Sequence, residues 1–261
     1  RVSRGLGDVY KRQFLMSEAT HTGYKEDGVE KYEILATLDS KTCEICGELD
    51  GNVYEVGKEI TGVNMPPFHP LCRCTDVPHY ADTPTKGMAR VARDPETGKT
   101  YMVPADMTYK HWHEQYVEKN PDKRLAERKQ RNKKIDNEQF QRYRKILGKD
   151  APETLDSFQT MKYTDSEKWN AKKREFATIS KIMEKESYSE EYRSKMRSTY
   201  YRFKDKGYEF TDHSLNRYLG QKTGRGKKAF TEDELLKVLD SSVNYLEEGG
   251  RTVKFLSLIH I

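Results

Sequence analysis

The sequence predicts an α+β chain: a small zinc-stabilised strand-and-loop unit, a helical middle region and a small, truncated α+β module at the carboxyl end. Three observations point there. All four cysteines lie between Cys43 and Cys74, around one histidine, His69. From Glu118 to about Lys206 the chain is charge-rich, with apolar residues at helical spacing. After Gly207 the texture changes to short capped helices and β-branched segments around glycine turns.

Composition sets the bounds. With 34% hydrophobic and 34% charged residues in a chain of 261, cores must be small and helices largely solvated. No stretch approaches the roughly eighteen apolar residues needed to cross a bilayer, so no membrane partner is expected. A thiol-rich metal site fits a reducing cytoplasm. The net charge is only +5, yet Glu118 to Lys149 holds twelve Lys or Arg against five Asp or Glu. Such a stripe is either a solvated helix or a nucleic-acid face.

Residues 1–13 and 256–261 read as translated sequencing-adaptor sequence flanking an internal fragment, and they carry no fold signal. Phe14 to about His21 finishes a helix that Gly23 and Gly28 break. Val29 to Leu38 alternates as a strand, with Tyr32, Ile34 and Ala36 on one face. Gly51 and Asn52 suit a tight turn before a second strand, Val53 to Val56. Asp94 to Lys99 is a turn signal between 88–93 and 100–103, hence a hairpin. Thr108 to Val117 starts a helix whose His111 and His113, two apart on different faces, serve as an aromatic anchor rather than a metal pair. Asn120 and Pro121 open a long charged helix that runs toward Leu147 and stops at Gly148. Phe158, Met161, Tyr163 and Trp169 then offer docking surface, and helices Lys168 to Lys185 and Tyr188 to Lys206 follow. Residues 14–80 thus form the zinc unit, 81–205 a hairpin and helical connector, and 206–255 the final module.

Cys43 and Cys46 make a C-x2-C pair, His69 and Cys72 an H-x2-C pair, and Cys74 lies just beyond. Each pair comes from one tight turn and the intervening chain closes a cage, as tetrahedral zinc requires. Disulfides fit less well: Cys72 and Cys74 are too close to bridge easily, and His69 would have no role. A catalytic zinc would keep an open position, which four or five soft ligands do not leave. Cys43, Cys46, His69, Cys72 and Cys74 are therefore the candidate ligands of a structural Zn2+. In an extended segment Cys72 and Cys74 point to opposite sides, so the fourth ligand stays open, with the spacing favouring Cys72.

The run LDSKTCEICGELDG from Leu38 to Gly51, followed by PPFHPLCRC from Pro66 to Cys74, resembles the carboxyl-terminal signature of the bacteriophage Mu F-like head morphogenesis proteins, also called minor head or minor capsid proteins. The likeness spans about residues 14–80, and Arg90 to Trp112 resembles what often follows it. Most of the helical region that precedes the cysteines in family members is missing. The resemblance implies a minor structural component of the phage head near the portal, assembled in the host bacterial cytoplasm and carried in the virion. Portal and capsid proteins would be its partners, with packaged DNA or RNA as a further one.

Phe210 to Leu219 reads as a short helix with His213 and Arg217 on one face. A Gly and Lys rich loop follows from Gly220 to Lys228. Thr231 and Glu234 make a capping box, and two strands, Asn244 to Glu248 and Thr252 to Phe255, join at Gly249-Gly250. This order resembles the barnase, EndoU, colicin and RelE-like nuclease domains. Metal-independent RNA cleavage needs a proton shuttle, for which His213 has the right unperturbed pKa, and donors for the phosphoryl oxygens, for which Arg217, Arg225 or Lys227 would serve. Against this, an H-x3-R pair is common on ordinary helix surfaces. The module would also need strands beyond Phe255, so this chain is not expected to be active even if its parent is a nuclease. A host zinc-binding regulator of nucleic acid rests on the basic stripe alone.

Overall fold

The computed structural model describes residues 2–82, 87–220, 231–240, 245–248 and 251–254. The chain is α+β and divides into two compact units, 1–138 and 139–261. That division falls inside a helix, whereas the boundaries expected from the sequence lie at 80 and 205.

In the first unit, α1 spans Val2–Glu26. Gly23 does not break it; its carbonyl accepts from the Asp27 amide at 2.8 Å, and the chain turns at Gly28, whose φ of 71° favours glycine. β1 (Lys31–Leu35) is the centre of an antiparallel sheet of order β2-β1-β3, with β2 at Val53–Glu55 and β3 at Thr75–Pro78. Glu33 pairs with Val53 on one side and Val77 on the other. The predicted alternation holds: Tyr32, Ile34, Ala36 and Leu38 are buried. Between β1 and β2 runs a short helix, α2 (Glu44–Leu49), in place of the bare turn expected around Cys43 and Cys46.

The predicted hairpin forms as β4 (Ala89–Arg93) against β5 (Thr100–Pro104). Asp94 Oδ1 closes its turn by accepting from the amides of Glu96 and Thr97 at 3.0 and 2.9 Å. Thr108 caps α3 (Tyr109–Trp112), which continues as a π-helical turn, His113–Glu118. Asn120 caps α4 (Pro121–Arg131) with Pro121 in the first turn. The long charged helix is interrupted at Asn132; α5 runs Lys133–Leu147 and ends at Gly148, φ 62°. Leu38, Ala92, Val103, Tyr109, Trp112 and Val117 form one buried cluster. Hairpin and α3 thus share a buried cluster with Leu38 of the strand-and-loop unit, which is too small to bury a core alone.

In the second unit the remainder of α5 packs with α6 (Leu155–Thr164), α7 (Ser166–Glu184), α8 (Glu190–Asp205), α9 (Asp212–Leu219) and α10 (Glu232–Asp240). β6 (Tyr245–Glu248) and β7 (Arg251–Lys254) form an antiparallel hairpin. Phe140, Phe158, Ile179, Tyr200, Leu215 and Leu235, from six different helices, belong to a single core. Each helix carries only a narrow apolar stripe, so the stripes pool, and helices on both sides of residue 205 contribute to one core. Tyr143 stacks on Phe176 at 4.1 Å, and Phe158 meets Trp169 edge-on at 5.2 Å, which is where the predicted docking surface goes.

Candidate metal centre

The C-x2-C pair is carried by the start of α2: Cys43 is its N-cap and Cys46 lies in its first turn, so both sulfurs face the returning chain. His69 sits after a cis Pro66–Pro67 bond, and the His69 carbonyl accepts from the Cys72 amide at 3.1 Å, tying the H-x2-C turn. His69 Nε2 lies 3.3 Å from Cys43 Sγ and 3.1 Å from Cys46 Sγ, and Cys46 Sγ lies 3.8 Å from Cys72 Sγ. The five donors form two overlapping triads, Cys43–Cys46–His69 and Cys46–Cys72–Cys74, within each of which all ligand atoms fall inside 4.8 Å. None of the four cysteines is in a disulfide.

Two features show that these residues fit a metal. A tetrahedron with metal–sulfur bonds of about 2.3 Å has edges of about 3.8 Å, the separation seen between Cys46 and Cys72. His69 Nδ1 is 2.9 Å from the Pro70 carbonyl, a contact it makes as donor, which leaves the Nε2 lone pair directed at the thiols. Hydrogen bonding from Cys46 pulls the Cys72 thiol well below its usual range, and the same contact pushes Cys46 up, so the crowded sulfurs favour a shared negative charge.

The residues around the cage explain the rest of the motif. Arg73, between the two last thiols, grips Asp39 through both terminal nitrogens at 2.6 Å. Burial opposes ionisation of Asp39, but Arg73 holds its carboxyl below the usual range. Asp50 is fully buried as a side chain. It accepts from the Ala36 amide at 2.5 Å, the Tyr109 amide at 2.6 Å and Arg90 at 3.1 Å twice. Arg90 also reaches the Ala36 and Met107 carbonyls. Four segments of the unit thus meet at one ion pair. Gly47 is required because a Cβ there would stand 2.5 Å from the Tyr109 ring, and Gly51 adopts φ 84°. Leu71, between His69 and Cys72, holds a left-handed φ of 62°, which is strained for a side-chain-bearing residue.

A second cluster had no sequence signal beyond a lone histidine. His21, 2% exposed, lies between Glu59 (Nδ1 to Oε1, 3.0 Å) and Asp76, which contacts Nε2. Burial lowers its pKa, but the two carboxylates outweigh that and raise it. Burial likewise opposes ionisation of Glu59, yet the Gly57 amide and His21 hold it at about 2. Both ring nitrogens being engaged, His21 is a charged brace between α1, the 57–59 loop and β3. His113 is braced similarly, against Glu127 at 2.9 Å and Glu118 at 3.3 Å, and stacks on Tyr109 as the anchor predicted for it.

His213 and Arg217 lie exposed on α9, opposite buried Leu215. Neither has a hydrogen bond or ion pair among the described residues. Arg225, Lys227, the Gly249-Gly250 turn, Phe255 and residues 256–261 lie outside the described residues. Part of the basic stripe is spent internally: Lys123 pairs with Asp94 at 2.6 Å and Arg131 with Glu127 at 2.9 Å.

The family described as Phage Mu protein F like protein matches residues 7–77. That span holds all five candidate ligands together with His21, Asp39 and Asp50, and it begins inside the segment expected to be adaptor. No curated protein and no solved structure matches the chain. None of the helices among the described residues is long and apolar enough to cross a membrane.

Proposed function

We propose, from the Mu F-like character of residues 7–77, that the chain acts in phage head morphogenesis as a minor head protein, docking near the portal against portal and capsid subunits and remaining in the virion. The observation that carries this reading is the family match over the cysteine and histidine loop, supported by the clustering of Cys43, Cys46, His69, Cys72 and Cys74. Cys43, Cys46, His69 and Cys72 would hold a Zn2+, with Cys74 as the alternative fourth ligand. The ion would supply no chemistry beyond cross-linking α2 to the 66–74 loop. It would give a polar unit one rigid point from which to dock. Mass spectrometry of purified heads and virions tests the reading: the chain should be present at low copy number and should cross-link to portal or capsid subunits. Its absence from heads at every stage would sink the proposal.

A second reading makes residues 206–255 part of a metal-independent RNase-like module borne by a minor head protein. One observation favours it: His213 and Arg217 are both exposed on α9 and free of partners among the described residues. RNA cleavage by the parent protein that survives His213→Ala unchanged would remove His213 as the proton shuttle.

A further inference from the structure

Where the metal loop meets the end of α4, a cleft of about 340 Å3 is lined by Ser40, Lys41, Thr42, Cys43, Gln130 and Arg131. It holds no carboxylate. Ser40 is only 9% exposed, and its hydroxyl has no hydrogen-bond partner among the described residues. The hydroxyl is not sealed from water, so it stays open to an incoming acceptor at the cleft. The Lys41 ammonium and the Gln130 amide also lack partners among the described residues, while the Lys41 backbone is pinned by Asp39 Oδ1 at 2.9 Å.

Arg131 completes the set. One of its terminal nitrogens makes all of its bonds, to Glu127 at 2.9 Å, the Tyr109 hydroxyl at 3.1 Å and the Thr42 carbonyl at 3.4 Å. The guanidinium is thereby fixed, with its other terminal nitrogen and Nε unengaged among the described residues. A cation with no counter-ion, a guanidinium edge, a hydroxyl and an amide are the donors that a phosphate oxyanion takes. Five of the seven residues from Arg128 to Lys134 are Lys or Arg and none is acidic, so positive charge continues past the cleft along the chain. A neighbouring phosphate on a polymer would find it.

We infer that this cleft binds a backbone phosphate of nucleic acid, read through Ser40, Lys41, Gln130 and Arg131 without base contacts. The inference goes beyond the head-assembly reading and does not depend on it.

The test is fluorescence anisotropy of the full, zinc-loaded chain with a short labelled duplex DNA, over roughly 50 to 200 mM salt. Lys41→Ala should weaken binding roughly threefold to tenfold and lower the salt slope by about one. Ser40→Ala and Gln130→Ala should weaken it less and leave the slope alone, because neither releases a counter-ion. Lys99→Ala, the same charge change at an exposed hairpin turn, should do neither. A cobalt-substituted absorption spectrum matching the wild type shows that each variant keeps its metal loop. Equal effects of Lys41→Ala and Lys99→Ala would overturn the proposal. So would binding of inorganic phosphate, seen by phosphorus NMR and lost in Lys41→Ala, in a chain that ignores DNA; that result assigns the cleft to the free anion. No capsid component enters the assay, so its failure leaves the head-assembly reading intact.

Discussion

The two units of the chain reach order by different means. The first is held at a few polar points, where Asp50 meets Arg90, Asp39 meets Arg73, His21 sits between two carboxylates and five soft donors converge. Its apolar residues are divided among small clusters. The second is held by one shared aromatic and aliphatic core, beside which the buried Glu175 carboxylate pairs with Lys172 at 2.8 Å and Lys204 at 2.6 Å. Directional contacts fail one at a time and abruptly, whereas pooled apolar area weakens in proportion to what is removed.

The sharpest way to break this contrast is to remove the metal. Structural zinc contributes an apparent ~10–16 kcal/mol to folding of small metallo-units. Chelation should therefore unfold the first unit and leave the second folded. Trp112, fully buried in the first, and Trp169, in the second, report separately once each is replaced by Phe in turn. Simultaneous loss of both signals would erase the distinction.

Next in size are single side chains. Asp50→Ala strands Arg90 and leaves the Ala36 and Tyr109 amides unmet, which should cost about 3–5 kcal/mol in the first unit. Phe158→Ala should cost about 3–5 kcal/mol in the second. Urea titrations followed through the two tryptophans should show each loss confined to its own unit.

The pH dependence should differ as well. His21 has a raised pKa in the fold, so its contribution is full below about 6.5 and is lost as pH rises through the folded value. Glu59 and Asp94, both at about 2, contribute above about 4 and lose that contribution as pH falls toward 2. The first unit should be most stable between those limits. Rising pH strengthens thiolate–metal binding, the opposite sign, so an alkaline loss of thermal stability that His21→Gln flattens belongs to the imidazole. The smallest effect is a gain: Leu71→Gly should relieve left-handed strain by about 1 kcal/mol, visible as a raised Tm of the metal-loaded chain.

The cage was legible because its signal is local: two short-spaced ligand pairs need only sequence to be seen. The hairpin, the helix starts at Thr108 and Asn120, and the capping box at Thr231 were legible for the same reason, the last seen in the reciprocal bonds between Thr231 and Glu234. What escaped depends on distance. Asp50 and Arg90 are forty residues apart and neither has a sequence pattern that names its partner. The division at residue 138 was hidden because it falls inside α5, whose charge texture does not change there. Gly23 looked like a breaker, but a glycine costs a helix only about 1 kcal/mol, which the rest of a long helix absorbs.

β3 begins one residue after Cys74 and carries Asp76, which grips His21 of α1. Tension applied along α1 therefore reaches the sulfur cage through the His21 imidazole, beside the bonds that Gln13 and Tyr24 donate to the Cys72 and Asp76 carbonyls. The ring acts as a mechanical coupler, stiff while charged and slack once it loses its proton. A force-extension measurement on the metal-loaded chain would register that change as a softer first event at alkaline pH.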